Sequence, residues 1–191
     1  MSAFAEQNPA DDTAAFAAFG RDFLRHAVTQ ARVEAALANL AGNQIDFGPR
    51  KVGPGGLASI RAEGAVSQPS VAPMAGEAVR YAITLPIELE LVVRLAAHDH
   101  RFVAEMAARL TLTARPRDTL RIFIDVPAPT ERDVEVNVTA QGLRASVLDV
   151  VADVEGELKR VVARQIARQI DSDRIREMRD IDVAARLEKN A

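Results

Sequence analysis

His98-Asp99-His100 is the densest cluster of titratable side chains in the sequence. Two imidazoles and a carboxylate within three residues carry the nitrogen and oxygen donors that zinc takes into a tetrahedral shell. The same tripeptide suits a strand-to-strand turn, in which Asp makes the bend and the histidines are solvated; a metal there needs further ligands from elsewhere. His26 follows Asp22 by four residues, a helical spacing, but no serine lies in the Gly-x-Ser-x-Gly elbow of a nucleophilic triad. Gly53-Pro54-Gly55-Gly56 lacks the Gly-Lys-Ser/Thr that would cradle a phosphate and reads as a turn. Glu88, Glu90, Asp125 and Glu135 fall on outer strand faces and read as solvated carboxylates. Arg160, Arg164 and Arg168, with Arg174, Arg176 and Arg179 beyond, suit anionic headgroups. The interleaved Asp171, Asp173, Glu177 and Asp180 favour a solvated helix end instead. We therefore expect no catalytic residue, no metal and no cofactor.

Composition narrows the classes further. A chain of 191 residues suits one domain, with 48% hydrophobic and 27% charged residues and a net charge of −3. The absence of cysteine excludes disulfides and thiolate chemistry. Near-neutral charge and only 4% aromatic residues argue against nucleic acid as a partner. No apolar run approaches the roughly 20 residues of a membrane span. The acidic N-terminus (Glu6, Asp11, Asp12) lacks a secretory pattern, so the expectation is a cytoplasmic protein without an integral membrane segment, peripheral membrane contact remaining open.

The elements that must position any site follow from periodicity. Residues 1–12 read as a disordered leader. From Thr13 to Leu40 the apolar residues Phe16, Phe19, Phe23, Val33 and Leu37 recur at helical spacing, with the three phenylalanines as an anchor and Gly42-Asn43 as the stop. Ile45 and Phe47 then alternate up to a break at Pro49. Ile60, Ala62, Gly64 and Val66 share a strand face, and residues 67–76 read as a connection or irregular edge. Between Val79 and Leu95 every odd position is apolar, a half-buried strand that would span roughly 55 Å and must therefore curl. Pro86 marks a bulge or edge within it. Phe102, Ala104, Met106, Ala108, Leu110, Leu112 and Ala114 continue the pattern on even numbers. A hairpin about His98-Asp99 would pair Leu95 with Phe102, Leu91 with Met106, Ile87 with Leu110, and Glu88 with Arg109. Inner faces then follow at Leu120, Ile122, Ile124 and Val126, and at Val134, Val136 and Val138. Leu143 to Ile170 form a long amphipathic helix through Val147, Val150, Val154, Leu158 and Val162. Ile181-Asp182-Val183 add a short strand, and residues 184–189 a last helical turn.

The expected fold is therefore α+β. A long, strongly curled antiparallel sheet, a meander of five to six strands, wraps on a long C-terminal helix and follows a long N-terminal helix. Residues 13–183 form the single domain and 184–191 a C-terminal tail. The helix around Phe16–Leu40, the alternating segments 79–95 and 101–115 and the closing helix 143–170 resemble, in pattern, the tubular lipid-binding (TULIP) superfamily, including its synaptotagmin-like mitochondrial lipid-binding and bacterial single-module types. The resemblance implies an apolar groove, without catalytic residues, that holds a lipid or other hydrophobic small molecule. The groove lining expected here is Ile83, Leu85, Ile87, Leu89, Leu91, Met106, Leu110, Leu112, Ile122, Ile124, Val150 and Val154. Two alternatives stand beside it. One is a structural or protein-interaction module with a filled core, as a homodimer through the Phe16–Phe23 end. The other is a helix-grip domain of the START and polyketide-cyclase type, which the long helix ahead of the sheet disfavours.

Overall fold

The computed structural model describes residues 9–95, 98–139 and 148–189; for residues 9, 10, 54 and 148–152 it describes the backbone alone. Leu143 and Val147 lie outside the described residues, as do 1–8 of the expected leader. Among the described residues, eight strands form one antiparallel, strongly curled half-barrel sheet, with a helical N-terminal segment and a long C-terminal helix. The strands are β1 (Gln44–Val52), β2 (Ala58–Val66), β3 (Ser70–Pro73), β4 (Arg80–Leu95), β5 (His98–Arg117), β6 (Arg121–Asp125), β7 (Val134–Thr139) and β8 (Asp180–Asp182). Their order is β1-β2-β4-β5-β6-β8, with β3 beside β4 and β7 beside β5. The sheet thus exceeds a five- or six-stranded meander by β3, in the expected connection, and by β8. β5 is long enough to take β7 along Val103–Ala108 and β6 along Thr113–Arg117.

The N-terminal helical segment is not one helix. α1 (Pro9–Ala27) begins before Thr13, and α2 (Gln30–Leu37) follows after a corner at Val28-Thr29. Thr29 causes the break: in extended backbone, its hydroxyl accepts the Arg32 amide at 3.4 Å as an N-cap. The Arg32 guanidinium then reaches back to the carbonyls of His26 and Ala27, closing the end of α1. Below the corner, the buried Tyr81 hydroxyl donates to the Val28 carbonyl at 2.7 Å. Tyr81→Phe leaves that carbonyl without its partner and is expected to cost about 1–2 kcal/mol in denaturant unfolding.

Pro49 does not end β1. The strand runs on to Val52 through a bulge between Phe47 and Arg50, where Gly48 (φ +130°) lies against the backbone of Arg61. Pro86 sits where β4 changes neighbours, between the stretch paired with β2 and the stretch paired with β3. Its carbonyl accepts the Ser67 amide at 2.8 Å. N–H and C=O of one strand residue point to the same side, so the missing donor falls in the gap between two partners.

The β4–β5 register corrects the expected one. Leu91 faces Phe102, Ile87 faces Met106, Ile83 faces Leu110 and Leu95 faces His98. His98-Asp99 therefore belongs to the strand, and residues 96–97, between β4 and β5, lie outside the described residues. Both registers keep the apolar side chains on one face, so burial does not choose between them. The observed one adds an Arg94–Asp99 cross-strand pair. On the outer face it sets Glu88 opposite Glu105 instead of Arg109, and the β2–β4 pairing sets Glu63 opposite Glu90, all four glutamates exposed. Directly opposed like charges destabilise a sheet. Glu105→Lys is expected to raise stability by about 0.2–1 kcal/mol, a gain that fades as salt is added.

Leu120 is the other misplaced residue. It takes a positive φ (57°) in the turn before β6 and is 63% exposed, whereas Ile122 is buried. Before β7, the Asp133 carboxylate accepts both the amide and the hydroxyl of Thr130, and these bonds hold its pKa below the usual carboxylate value. Such a group stabilises the fold above the unfolded pKa near about 3.9, and that support is lost as pH falls through the lower folded value. Asp133→Asn is therefore expected to flatten the acid limb of a stability–pH profile.

Candidate functional site

The concave face of the sheet is built by alternation. Ala62, Leu91 and Phe102 form one row across β2, β4 and β5, and Gly64, Leu89, Ala104 and Val138 form the next, ending on β7. Leu85, Ala108 and Val134 form another. α3 (Leu148–Ile170) lies over this face, adjoining β7 and β1, and brings Val154, Leu158 and Val162 into the core. α4 (Asp173–Arg179) and α5 (Val183–Glu188) flank β6 and β8.

Of the expected lining, Ile83, Leu85, Ile87, Leu89, Leu91, Met106, Leu112, Ile122 and Val154 are buried in one apolar cluster. Leu110 and Ile124 pack against it half-buried. The Val150 side chain is outside the described residues. Leu158 and Val162 were not in the expected lining, although the same four-residue helical step from Val154 marks them. No buried polar or charged residue occurs among the described residues. The hollows of the described surface are shallow. One, of about 440 Å³, lies around Glu177, Asp180 and Arg186; another, of about 310 Å³, lies around Glu90, Val103 and Thr139. Leu91, at the second, is the one expected lining residue that borders either.

The titratable candidates are placed apart from this interior. Strand alternation puts Asp99 on the opposite face from His98 and His100. Asp99 instead takes two hydrogen bonds from Arg94, at 2.7 and 3.0 Å, which hold its carboxyl below the usual range. His26 Nδ1 lies 2.8 Å from the Asp22 carbonyl oxygen on the exposed side of α1, while the Asp22 carboxylate pairs with Arg25. Glu135 pairs with Arg109, and Asp125 with Arg115 and Arg179.

The basic row of α3 is largely spoken for. Arg160 bridges Glu131 and Glu157, its pKa raised by Glu131 first, and Arg164 also reaches Glu157. Arg168 donates to Gln165. Arg179 was read as one of a cationic series. It proves to be a fastening, donating from Nε to the Ile124 carbonyl at 2.6 Å beside the Phe123 ring, which Arg117 also covers.

One expectation about the N-terminal segment is reversed. Phe16 and Phe19 are 76% and 70% exposed and Phe23 is 37% exposed, so these rings do not anchor α1 to the fold. Leu24 and Val28 do so, at the base of the helix.

No helix among the described residues is long and apolar enough to cross a membrane. No family model matches the chain, and no curated protein matches it in sequence. Among solved structures, it is similar to a crystal structure of a lipopolysaccharide binding protein, at 14% sequence identity and a TM-score of 0.33. The alignment takes in 83% of this chain and 38% of that one, so the chain spans well under half the length of this neighbour.

Proposed function

We propose that residues 13–183 bind, and pass on, a lipid or comparable hydrophobic molecule without catalysis, in apolar space between the curled sheet and α3. The observation that carries this reading is the chemistry of the concave face. It is almost wholly apolar, lowered by Ala62, Ala104 and Ala108, and no charged residue is buried among the described residues. Such a surface recognises a ligand only by removing it from water, at about 0.8 kcal/mol per methylene. α3 is the displaceable wall. Its ties to the rest of the fold include the surface pairs Arg50–Glu157 and Arg160–Glu131, at 3.0 and 3.2 Å, of a kind that contributes little. An acyl chain under α3 would replace the apolar contacts that its displacement gives up. The resemblance to tubular lipid-binding folds implies the same class of ligand.

Native mass spectrometry of the full chain, after incubation with palmitate or a phosphatidylglycerol, tests the proposal. A one-to-one adduct, with a thermal transition that rises with ligand concentration, is expected. An apo mass throughout and an unmoved transition would end it. That result would favour the second reading, an interaction module with a filled core. The near-complete burial of Ile60, Leu89, Leu91 and Leu158 speaks for that second reading.

A further inference from the structure

We propose that α1 is a self-association arm: its aromatic stripe pairs, antiparallel, with the same stripe of a second copy of this chain. From Asp11 to Phe23 no α1 side chain is buried, yet Phe16, Phe19 and Phe23 lie on one helical face. Asp12 and His26 continue that face at its two ends, giving the spacing 12-16-19-23-26 of a coiled-coil seam. Phe19 and Phe23 already stack on each other, with ring centroids 6.4 Å apart. The base of the arm is fixed by Leu24, by the Tyr81–Val28 bond and by Arg32 on the last α1 carbonyls. The stripe is therefore held out at a set angle. A helix of this length without tertiary support is marginal in water, and a partner along its apolar face supplies that support.

Charge selects the partner. The first turn of α1 carries Asp11 and Asp12, and the last turn carries Arg25 and His26. A two-fold axis near Phe19 sets the acidic end of each copy beside the basic end of the other, an arrangement that is self-complementary. The rest of the helix adds only Arg21 and Asp22, so the arm has no basic face to draw it to anionic lipid. At the exposures they have (76%, 70% and 37%), the three phenylalanines of each copy, at about 150–250 Å² per ring, together bury roughly 550–900 Å², the range of weak encounters. The dimer is accordingly a weak, reversible one.

Sedimentation equilibrium of the full chain, from micromolar to submillimolar concentration, reads the association. The expected result is a mass rising from 20.6 kDa towards twice that value. Phe16→Ser with Phe19→Ser, both at exposed positions, is expected to weaken association about tenfold or more with an unchanged thermal transition. Asp12→Arg and Arg25→Asp each weaken it, and the two together restore it. A monomer at every concentration would overturn the proposal, as would association that survives loss of both rings. So would a chain that stays monomeric but floats with phosphatidylcholine vesicles in a Phe16- and Phe19-dependent manner.

Discussion

Gly64→Ala is expected to lower stability by about 3 kcal/mol or more. A Cβ at Gly64 would lie 1.9 Å from the Glu88 carbonyl oxygen and 2.9 Å from the Leu89 Cα. Both obstacles are backbone of β4, so no rotamer change relieves them. β2 must either move off β4 or give up pairing around Gly64–Leu89, within the run that joins them. The close approach belongs to the curl of the sheet on its concave side. Gly156→Ala is the control: it meets nothing within 4 Å on α3 and should gain about 0.5–1 kcal/mol from helix propensity. Urea denaturation of both variants decides the matter. Equal and small effects would mean that the strands are not held this close.

Leu158→Ala is expected to cost about 2–5 kcal/mol, with a fall in melting temperature of roughly 5–15 °C. Leu158 is fully buried and stands on the α3 face turned to the sheet, between Val154 and Val162. Truncation removes the packing that holds the closing helix and leaves a void where the proposed ligand chain would lie. Leu158→Met, close in volume, should lose less than about 1.5 kcal/mol. The two effects of the alanine variant separate the readings of function. A carrier should show lower stability together with greater palmitate uptake, whereas a filled-core module should show lower stability alone. A near-neutral Leu158→Ala would mean that α3 does not close the interior.

The faces of the sheet were legible in the residues, and the pairing within it was not. Odd positions through Leu95 and even positions from Phe102 assign every inner side chain, because alternation has a period of two. Sliding β5 by four residues along β4 keeps that parity. Apolar pattern therefore cannot distinguish Leu91–Met106 from Leu91–Phe102. What marks the observed register is the Arg94–Asp99 pair, a local feature that Asp99, read as a turn residue, concealed.

The Phe16–Phe23 stripe was misread for a related reason. Helical periodicity shows that one side of α1 is apolar, and says nothing of what covers it. Thr29 carried a visible N-cap signal, overridden by the apolar residues that continue the period beyond it. Of the candidate lining, the strand residues were readable from alternation. The helix contribution among the described side chains, Val154 with Leu158 and Val162, depended on where α3 crosses the sheet.

The pairing of β4 with β5 bears on how the chain reaches this state. Leu95 and His98 are close in sequence, and each further pair, out to Arg80 and Thr113, lies only slightly farther along the chain. A ribbon of this kind zips outward from one end, with little loop closure at each step. β2 and β7 then find a template already in place, and β1 and β8 add last at its margins. Amide protons of Ile83 to Leu91 should be the slowest of the sheet to exchange with deuterium, and those of β8 among the fastest.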